Sequence, residues 1–167
     1  MTYTVDNYKT MSRRFREGQQ VLRAEMHCYM YEGPIVAKER PRKGKNGKMF
    51  TPPATRKFEK AVADWGKSVN MTPVLYPIRV RLTIADPTDD PDLIEHSNAG
   101  LVYNMKRDLD NMAKSILDGL NGVAYSDDKQ IVRLDVRREY AADSAFFLTI
   151  ERAGLSPSEY SNFKKFL

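Results

Sequence analysis

The sequence predicts an α+β domain, a small mixed β-sheet of about four strands with two main helices packed on it. Four segments alternate apolar and polar residues with the period of a strand, and two longer segments repeat apolar residues at helical spacing. The two kinds of segment are interleaved, and 41% of the 167 residues are hydrophobic, which is enough for one core. We therefore expect one domain over 24–152, an extension over 1–23, and a tail over 153–167 that includes a short helix.

The first two predicted strands alternate clearly. In residues 24–32 the expected inner positions are Met26, Cys28 and Met30, with tyrosine, histidine and glutamate between and around them. In residues 78–84 every second residue is aliphatic, and arginine or threonine separates them. One face of each strand is therefore expected to lie on the core and the other to face solvent.

The last two predicted strands are close together in sequence. Residues 131–140 alternate, and their expected inner positions are Val132, Leu134 and Val136. Residues 145–151 are apolar on both faces, so this strand should be interior or paired with another chain. Only residues 141–144 connect the two strands, which predicts an antiparallel hairpin.

Two helices are predicted from apolar residues at helical spacing. The apolar face of the first, over 51–69, consists of Phe58, Ala61, Val62 and Trp65. The second begins near Asp108, and its apolar face consists of Leu109, Met112, Ala113, Ile116, Leu117 and Leu120. Asn121–Gly122 is expected to end it, because glycine readily adopts the left-handed conformation that follows many helix ends.

Charge is segregated into two segments. Residues 38–48 contain six basic residues and one acidic residue, whereas residues 86–95 contain five acidic residues and no basic ones. Both are rich in proline or glycine, which predicts loops. We expect 38–48 to be a mobile arm that contacts an anionic partner. We expect 86–95 either to lie away from that partner or to shift when metal or the partner binds, and to be disordered in the absence of substrate.

The overall composition restricts the class of protein. A formal net charge of +5 and a pI near 9.3 favour an anionic partner, of which nucleic acid is the commonest. No window approaches the ~18 apolar residues of a membrane span, and the first residues contain no apolar run typical of a secretory signal. The single cysteine, Cys28, is expected to be an inert core residue in a reducing compartment. These features predict a cytoplasmic protein without a membrane partner.

An acidic cluster surrounds the second helix. Asp108 and Asp110 stand at its start, Lys114 lies one turn after Asp110, and Asp127–Asp128 follow the helix. From residue 110 to residue 121 the helix rises about 16–18 Å at ~1.5 Å per residue. The residues from 121 to 128 span at most roughly 23 Å. The last pair can therefore return to the start of the helix, where the carboxylates would converge.

Each of these residues also has a structural interpretation. Asp108 or Asp110 could cap the helix, Lys114 could form a surface ion pair with Asp110 or Asp118, and Asp127–Asp128 could belong to a turn. None of these roles explains why several carboxylates would converge. A hard divalent cation does, because Mg²⁺ prefers oxygen ligands and offsets their repulsion. Asp118, further along the same stripe, is expected to be dispensable.

The chemistry expected of such a site is hydrolysis at phosphorus. Bound Mg²⁺ provides hydroxide near neutral pH, and Lys114 would supply fixed positive charge for the transition state or the leaving oxygen. One cysteine and two distant histidines, His27 and His96, do not form a zinc site. No Gly-rich phosphate loop is present, so no nucleotide cofactor is expected.

Two motifs resemble the RusA family of Holliday junction resolvases, of the phage and prophage type. "KRDLDNMAKSILDGLNGVAYSDDKQI" follows the family pattern of D-x-D-N, a lysine four residues on, L-D-x-L-N, and a D-D pair before a strand. "GPIVAKERPRKGKNGKMFTPPATRKFEKAV" resembles the G-x-P-x-x-K-x-R-P-R…Y-T-P opening, with Phe50 where tyrosine is usual. The resemblance covers roughly residues 24–152.

The resemblance implies a homodimeric endonuclease that hydrolyses phosphodiester bonds by paired nicks in four-way DNA junctions during recombination and repair. It implies Mg²⁺ as the cofactor, with Mn²⁺ able to substitute. Its catalytic residues correspond to Asp108, Asp110, Lys114 and Asp128, and Asp127 joins the three aspartates as an expected metal ligand. The basic residues expected to contact DNA are Lys38, Arg40, Arg42, Lys43, Lys45, Lys48, Lys106 and Arg107. The strands at 24–32 and 145–151 are the candidate dimer contacts.

Two other interpretations stay open. A restriction-enzyme-like nuclease would combine Pro91–Asp92 with the sequence Asp-Asp-Lys at 127–129, although that arrangement needs its D-x-K on a core strand. A non-catalytic basic DNA-binding module would use the aspartates only as helix caps.

Overall fold

The structure, a computed structural model, describes residues 26–44, 46–98 and 107–153. In these ranges the chain forms a four-stranded mixed sheet, a two-stranded ribbon and three α-helices, so the α+β prediction is confirmed. The predicted extension at 1–23 and the tail after Ala153, with its predicted helix, lie outside the described residues. The domain boundaries stay a prediction.

The elements follow one another in a mixed order. They are β1 (Met26–Glu32), β2 (Arg42–Lys43), β3 (Met49–Phe50), α1 (Pro53–Ser68), β4 (Ile78–Pro87), α2 (Pro91–Asn98), α3 (Leu109–Leu120), a 3₁₀ turn (Asp128–Gln130), β5 (Ile131–Ala141) and β6 (Ala145–Arg152).

The main sheet has the strand order β1–β6–β4–β5. β4 pairs in parallel with β5 and antiparallel with β6, which also pairs antiparallel with β1. The predicted hairpin of the last two strands is therefore wrong, because β4 lies between them. Passing one intervening strand needs a step of about 10 Å, and the residues from 141 to 145 can span roughly 13 Å. The expectation that residues 145–151 are interior is confirmed.

The core lies between one face of this sheet and the helices α1 and α3. On β4 the predicted inner residues are all at most 1% exposed, namely Ile78, Val80, Leu82 and Ile84. A strand that is buried by helices on one face and paired on both edges contributes most to the core, which explains its central position.

β1 alternates in the opposite phase to the prediction. Tyr29 and Tyr31 pack against the helix side of the sheet, and the expected inner residues, Cys28 among them, lie on the other face. The ring of Tyr31 stacks on Phe146 with centroids 4.9 Å apart and meets the edge of Trp65 at 5.5 Å. Aromatic rings bury more apolar area than methionine or cysteine, and this decides the phase.

β5 is less buried than predicted because it is an outer strand of the described sheet. Val132 is 50% exposed and Leu134 is 44% exposed. Val136 is partly buried against the core.

The two predicted helices are confirmed, and they pack directly on each other. Of the predicted inner face of α1, Ala61 is exposed while Phe58 and Val62 are buried. A Cβ placed on Gly119 of α3 would lie 2.8 Å from the carbonyl oxygen of Glu59 in α1, so only glycine permits this approach. Gly122, with φ +75°, follows the end of α3 as predicted.

The acidic segment is not the loop that the sequence predicted. β4 continues through Pro87, and α2 begins at Pro91. The carboxylate of Asp90 accepts hydrogen bonds from the backbone of Asp92 at 3.0 Å and of Leu93 at 3.4 Å. An aspartate cap followed by proline in the first turn is a helix-start signal, and the high proline content obscured it.

The basic segment is also more regular than a loop. β2 and β3 form a small antiparallel ribbon, in which Arg42 faces Phe50 and Lys43 faces Met49. Gly47 in the connecting turn has φ +78°, a conformation that glycine adopts without strain.

Candidate active site

The first turns of α3 expose a stripe of charge on an otherwise buried helix. Met112, Ile116 and Leu120 are fully buried, while Asp110 and Lys114 are exposed. Burial of the apolar face fixes which side of the helix the charged residues occupy. The structure therefore presents Asp110 and Lys114 to solvent on a rigid element.

Asp108 stands at the cap position of α3 without acting as a side-chain cap. Its backbone is extended, at φ −70° and ψ 128°, and its carboxylate makes no capping hydrogen bond. One carboxylate oxygen instead accepts a hydrogen bond from the side-chain amide of Asn111 at 3.1 Å. The capping interpretation of Asp108 is therefore wrong, and its carboxylate faces outward.

The segment after α3 folds back against the helix. Gly122 donates a backbone hydrogen bond to Tyr125 at 2.8 Å, and the buried Tyr125 hydroxyl donates to the Leu117 carbonyl at 2.7 Å. Burial raises the pKa of Tyr125, and the negative charges of Asp128 and Asp118 raise it further. Asp128 therefore lies close enough for its charge to act on a phenol that is bonded to α3.

Asp127 has a structural role that its neighbour lacks. Its carboxylate accepts from the Lys129 backbone at 2.9 Å, and the Gln130 side chain accepts from the Asp127 backbone at 2.9 Å. This reciprocal pair caps the 3₁₀ turn. The hydrogen bond from Lys129 is the main reason why the pKa of Asp127 is lowered.

The three aspartates expected to bind Mg²⁺ have the right chemistry for that ion. Asp108, Asp110 and Asp128 are exposed carboxylates, which are the oxygen ligands that suit Mg²⁺. Across 26–44, 46–98 and 107–153, no group of three or more carboxylate, imidazole or thiolate side chains is placed so that it could hold a metal ion, so the structure does not bring Asp108, Asp110 and Asp128 together as one ligand set. Mg²⁺ commonly uses one or two carboxylates, several waters and a substrate phosphate, so the donor chemistry fits such an open site.

Lys114 keeps its charge available. Among the described residues its ammonium forms no ion pair, and the pair with Asp110 or Asp118 suggested by their spacing is absent. An exposed ammonium one turn along the helix from Asp110 can approach an anionic substrate without first breaking an ion pair to any residue that the structure describes.

Lys38 fastens the basic segment to α3. Its ammonium forms ion pairs with Asp118 and, at 2.9 Å, with Glu59 of α1. Burial acts to lower the pKa of Lys38, but the two carboxylates outweigh it and the pKa is raised. Its backbone N–H donates to the Asn111 carbonyl at 2.8 Å. Asp118 thus pairs with Lys38 and not with Lys114, the partner that the spacing along the helix suggested.

The other basic residues that were expected to contact DNA divide into two groups. Arg40, Arg42, Lys43 and Lys48 are exposed on or beside the ribbon, although Arg42 pairs with Glu39 at 2.6 Å. Arg107 instead pairs with Asp86 and donates to the Ile35 carbonyl at 2.5 Å. Lys45 and Lys106 lie outside the described residues.

Three polar residues near the site were not found from the sequence. Asp86 and Arg138 form a buried ion pair, and Ser115, fully buried in α3, donates to the Val36 carbonyl at 2.5 Å. The alternation of β5 gives a signal for Arg138, because it continues the inner positions 134 and 136. No local sequence pattern indicates that Asp86 or Ser115 is buried.

The structure does not support the restriction-enzyme-like alternative. Asp128 and Lys129 lie in a 3₁₀ turn and Asp92 in the short helix α2, so the D-x-K is not on a core strand. In the part of the chain that the structure describes, no helix is long and apolar enough to cross a membrane.

A known protein family matches most of the chain. Residues 32–151 match the family model of endodeoxyribonuclease RusA, so the class of protein is an endodeoxyribonuclease. No curated protein matches the chain. Because the match covers most of the sequence, the chain belongs to the RusA family, the family of Holliday junction-resolving endonucleases, and the resemblance seen in the sequence is confirmed.

Proposed function

We propose that this protein is a Mg²⁺-dependent crossover junction endodeoxyribonuclease that makes paired nicks in four-way DNA junctions as a homodimer. The observation that carries the proposal is the exposed start of α3. There the carboxylates of Asp108 and Asp110 and the ammonium of Lys114 lie on a helix whose other side is buried. The family assignment supports the junction as substrate. A junction substrate in turn favours the cytoplasm of a bacterium or a phage-infected cell as the place of action.

Asp108, Asp110 and Asp128 are the proposed ligands of Mg²⁺, with Mn²⁺ as a substitute. When bound, the ion would lower the pKa of a coordinated water and neutralise charge on the scissile phosphate. The positive end of the α3 dipole offsets part of the repulsion between Asp108 and Asp110. Asp127 is the weakest of the four ligand candidates, because its carboxylate already caps the 3₁₀ turn.

Lys114 would stabilise the negative charge that develops on the phosphate oxygens and on the leaving oxygen. Such stabilisation accelerates the reaction only where it is stronger in the transition state than in the ground state. The exposed basic residues of the ribbon, Arg40, Lys43 and Lys48, would hold the DNA backbone beside the site.

A homodimer follows from the symmetry of the substrate. A four-way junction has near two-fold symmetry, and this chain contains one D-x-D-N motif, one Lys114 and one D-D pair. A closed two-fold dimer would supply two sites related by the same symmetry. Of the two candidate strands, β6 is paired on both edges, so only β1 is an outer strand of the described sheet.

The proposal is tested by a nicking assay on a mobile four-way junction and on a linear duplex of the same sequence. Wild-type protein is expected to nick the junction in Mg²⁺ and Mn²⁺, not in EDTA, and to leave the duplex intact. Asp110→Asn should abolish nicking. Asp64→Asn, which alters an exposed carboxylate on α1, is the matched control and should keep it. Cleavage without divalent metal, or equal cleavage of the duplex, would contradict the proposal.

A further inference from the structure

One buried side chain joins the turn that contains Asp128 to a segment far away in the sequence. Gln130 is the last residue of the 3₁₀ turn, and it is fully buried. Its side-chain nitrogen donates to the carbonyl oxygen of Val74 at 2.8 Å and to that of Tyr76 at 3.0 Å. Both carbonyl groups belong to the segment that leads into β4. The two amide hydrogens of Gln130 therefore bind the turn to this segment.

The oxygen of the same side chain binds the turn itself. It accepts hydrogen bonds from the backbone N–H groups of Ser126 and Asp127, both at 2.9 Å. A side-chain amide has two donor hydrogens and two acceptor lone pairs, and in Gln130 all four are used. Asp128 lies between the two residues that this oxygen holds and Gln130 itself. Its backbone is thus fixed on both sides, while its carboxylate is exposed.

The turn depends on such contacts because it is too short to be stable alone. A single 3₁₀ turn of three residues has few hydrogen bonds of its own. Nearby, the Val74 N–H donates to the Ala124 carbonyl at 3.1 Å, and the Tyr125 hydroxyl is bonded to α3. These contacts act three and four residues before Asp128. The side chain of Gln130 acts on the two residues directly before it.

We propose that Gln130 is a positioning residue, whose side chain fixes the turn against the segment before β4 and so holds the Asp128 carboxylate where a divalent cation binds it. This inference rests on the proposed function, in which Asp128 is a metal ligand. Removing a group that orients a metal ligand typically weakens metal binding by about 10–100-fold.

Mn²⁺ binding to the protein without DNA tests the proposal and needs no cleavage. The free ion is measured by its EPR signal. Gln130→Met keeps the length of the side chain but makes none of the four hydrogen bonds, and it should raise the Kd for Mn²⁺ about tenfold or more. Ile84→Val is the matched control, because it removes one buried methyl group about 20 Å along β4 from Ile78, the residue that pairs with the end of the turn. The control should lower the melting temperature but change the Kd by less than about twofold.

A double variant shows whether Gln130 acts through Asp128. Asp128→Asn alone should weaken Mn²⁺ binding. Adding Gln130→Met to it should change the Kd by less than about twofold, because two residues that act through one interaction are not additive. A further tenfold loss in the double variant would overturn the proposal, and so would an unchanged Kd in Gln130→Met alone.

Gln130→Glu covers the case in which the methionine variant fails to fold. The carboxylate keeps oxygen acceptors for the turn, but it loses both donors and places a negative charge beside the carbonyl oxygens of Val74 and Tyr76. It should bind Mn²⁺ at least about threefold more weakly than the wild type. Wild-type affinity in Gln130→Glu would overturn the proposal.

Hydrogen exchange of the metal-free wild type needs no variant. The amides of Ser126 and Asp127 donate to a buried oxygen, so both should exchange at least roughly 100-fold more slowly than in an unfolded chain. Exchange at the unfolded rate would overturn the proposal. If the wild type did not nick junctions, the proposed function would fail, and Mn²⁺ binding and hydrogen exchange would still decide the role of Gln130. If the wild type nicked junctions but bound no Mn²⁺, this proposal alone would be overturned.

Discussion

Asp108 and Asp127 occupy similar positions in the sequence but have different structural roles. Both precede a helical segment and both fit a cap, yet only Asp127 makes the capping hydrogen bonds. The sequence predicted that the acidic residues matter as a group. It could not separate these two, because the difference lies in side-chain direction, which depends on contacts from elsewhere in the chain.

The first prediction concerns the three aspartates assigned to the metal. Asp108→Asn, Asp110→Asn and Asp128→Asn should each abolish junction nicking and keep or tighten junction binding, because a lost carboxylate removes a ligand and also removes repulsion of phosphate. Nicking and gel-shift assays on the same junction measure both effects. Asp127→Asn is the comparison and should retain measurable nicking. Near-wild-type nicking by any of the first three would contradict its assignment.

A second prediction follows from the buried phenol of Tyr125. Burial, and then the charges of Asp128 and Asp118, raise its pKa in the folded protein above the ordinary value of 10.0. The neutral phenol therefore contributes to the free energy of unfolding in full below about pH 10. This contribution is lost as the pH rises, because the tyrosine ionises in the unfolded chain at a lower pH than in the folded protein. Between pH 8 and pH 11 the free energy of unfolding of the wild type should fall by about 1.4 kcal/mol more than that of Tyr125→Phe. Urea unfolding measures the difference, and equal losses would show that Tyr125 does not titrate this way.

At the scale of elements, the two confirmed helices and the two misread segments have a common explanation. The inner faces of α1 and α3 have enough apolar residues at helical spacing to be recognised from sequence alone. The helix α2 is only eight residues long and lies in a run of prolines and acids, where its aspartate cap was the sole signal. Short elements depend on tertiary contacts that a local pattern does not contain.

The crossing of α1 and α3 gives a prediction about packing. Alanine normally stabilises a helix interior by about 1 kcal/mol relative to glycine. At Gly119 we expect the opposite, because the added Cβ would lie 2.8 Å from the Glu59 carbonyl oxygen and 2.9 Å from Val62 Cβ. Gly119→Ala should therefore cost about 1–3 kcal/mol in urea unfolding. Lys60→Ala on the exposed face of α1 is the control and should stay within about 0.5 kcal/mol. If Gly119→Ala were more stable than the wild type, α1 and α3 would have to lie further apart than in the structure.

A further prediction concerns the attachment of the basic ribbon. Lys38 pairs with Asp118 and Glu59, and all three side chains are less than one third exposed. Asp118→Asn should loosen the ribbon and accelerate trypsin cleavage after Arg42 and Lys43 several-fold. Asp64→Asn, which breaks the exposed pair with Lys60, should not change it. If Asp118→Asn left the cleavage rate unchanged, the ion pair with Lys38 would not hold the ribbon, and Asp118 would be dispensable as the sequence predicted.

At the scale of the whole molecule, the sequence predicted the fold class and the core strand β4 but not the order of the strands. A four-residue connection suggested a hairpin, although it is also long enough to pass over one strand end. The phase of β1 differs from the prediction for a similar reason, because tyrosine has both a polar and an apolar part. The rings of Tyr29 and Tyr31 both contact Trp65, and that of Tyr31 also stacks on Phe146. Pairing between distant strands depends on the whole core and not on local alternation.

The central claim is that two copies of the α3 site cut opposed strands of one junction. The most direct test is cleavage of a supercoiled plasmid that extrudes a cruciform. Paired nicks within one complex give linear DNA at once, whereas independent nicks give nicked circles first. We predict linear product for the wild type, nicked circles when excess Asp110→Asn protein is mixed in, and no cutting of the plasmid without the cruciform. Accumulation of nicked circles with the wild type alone, or linear product without a cruciform, would contradict the account.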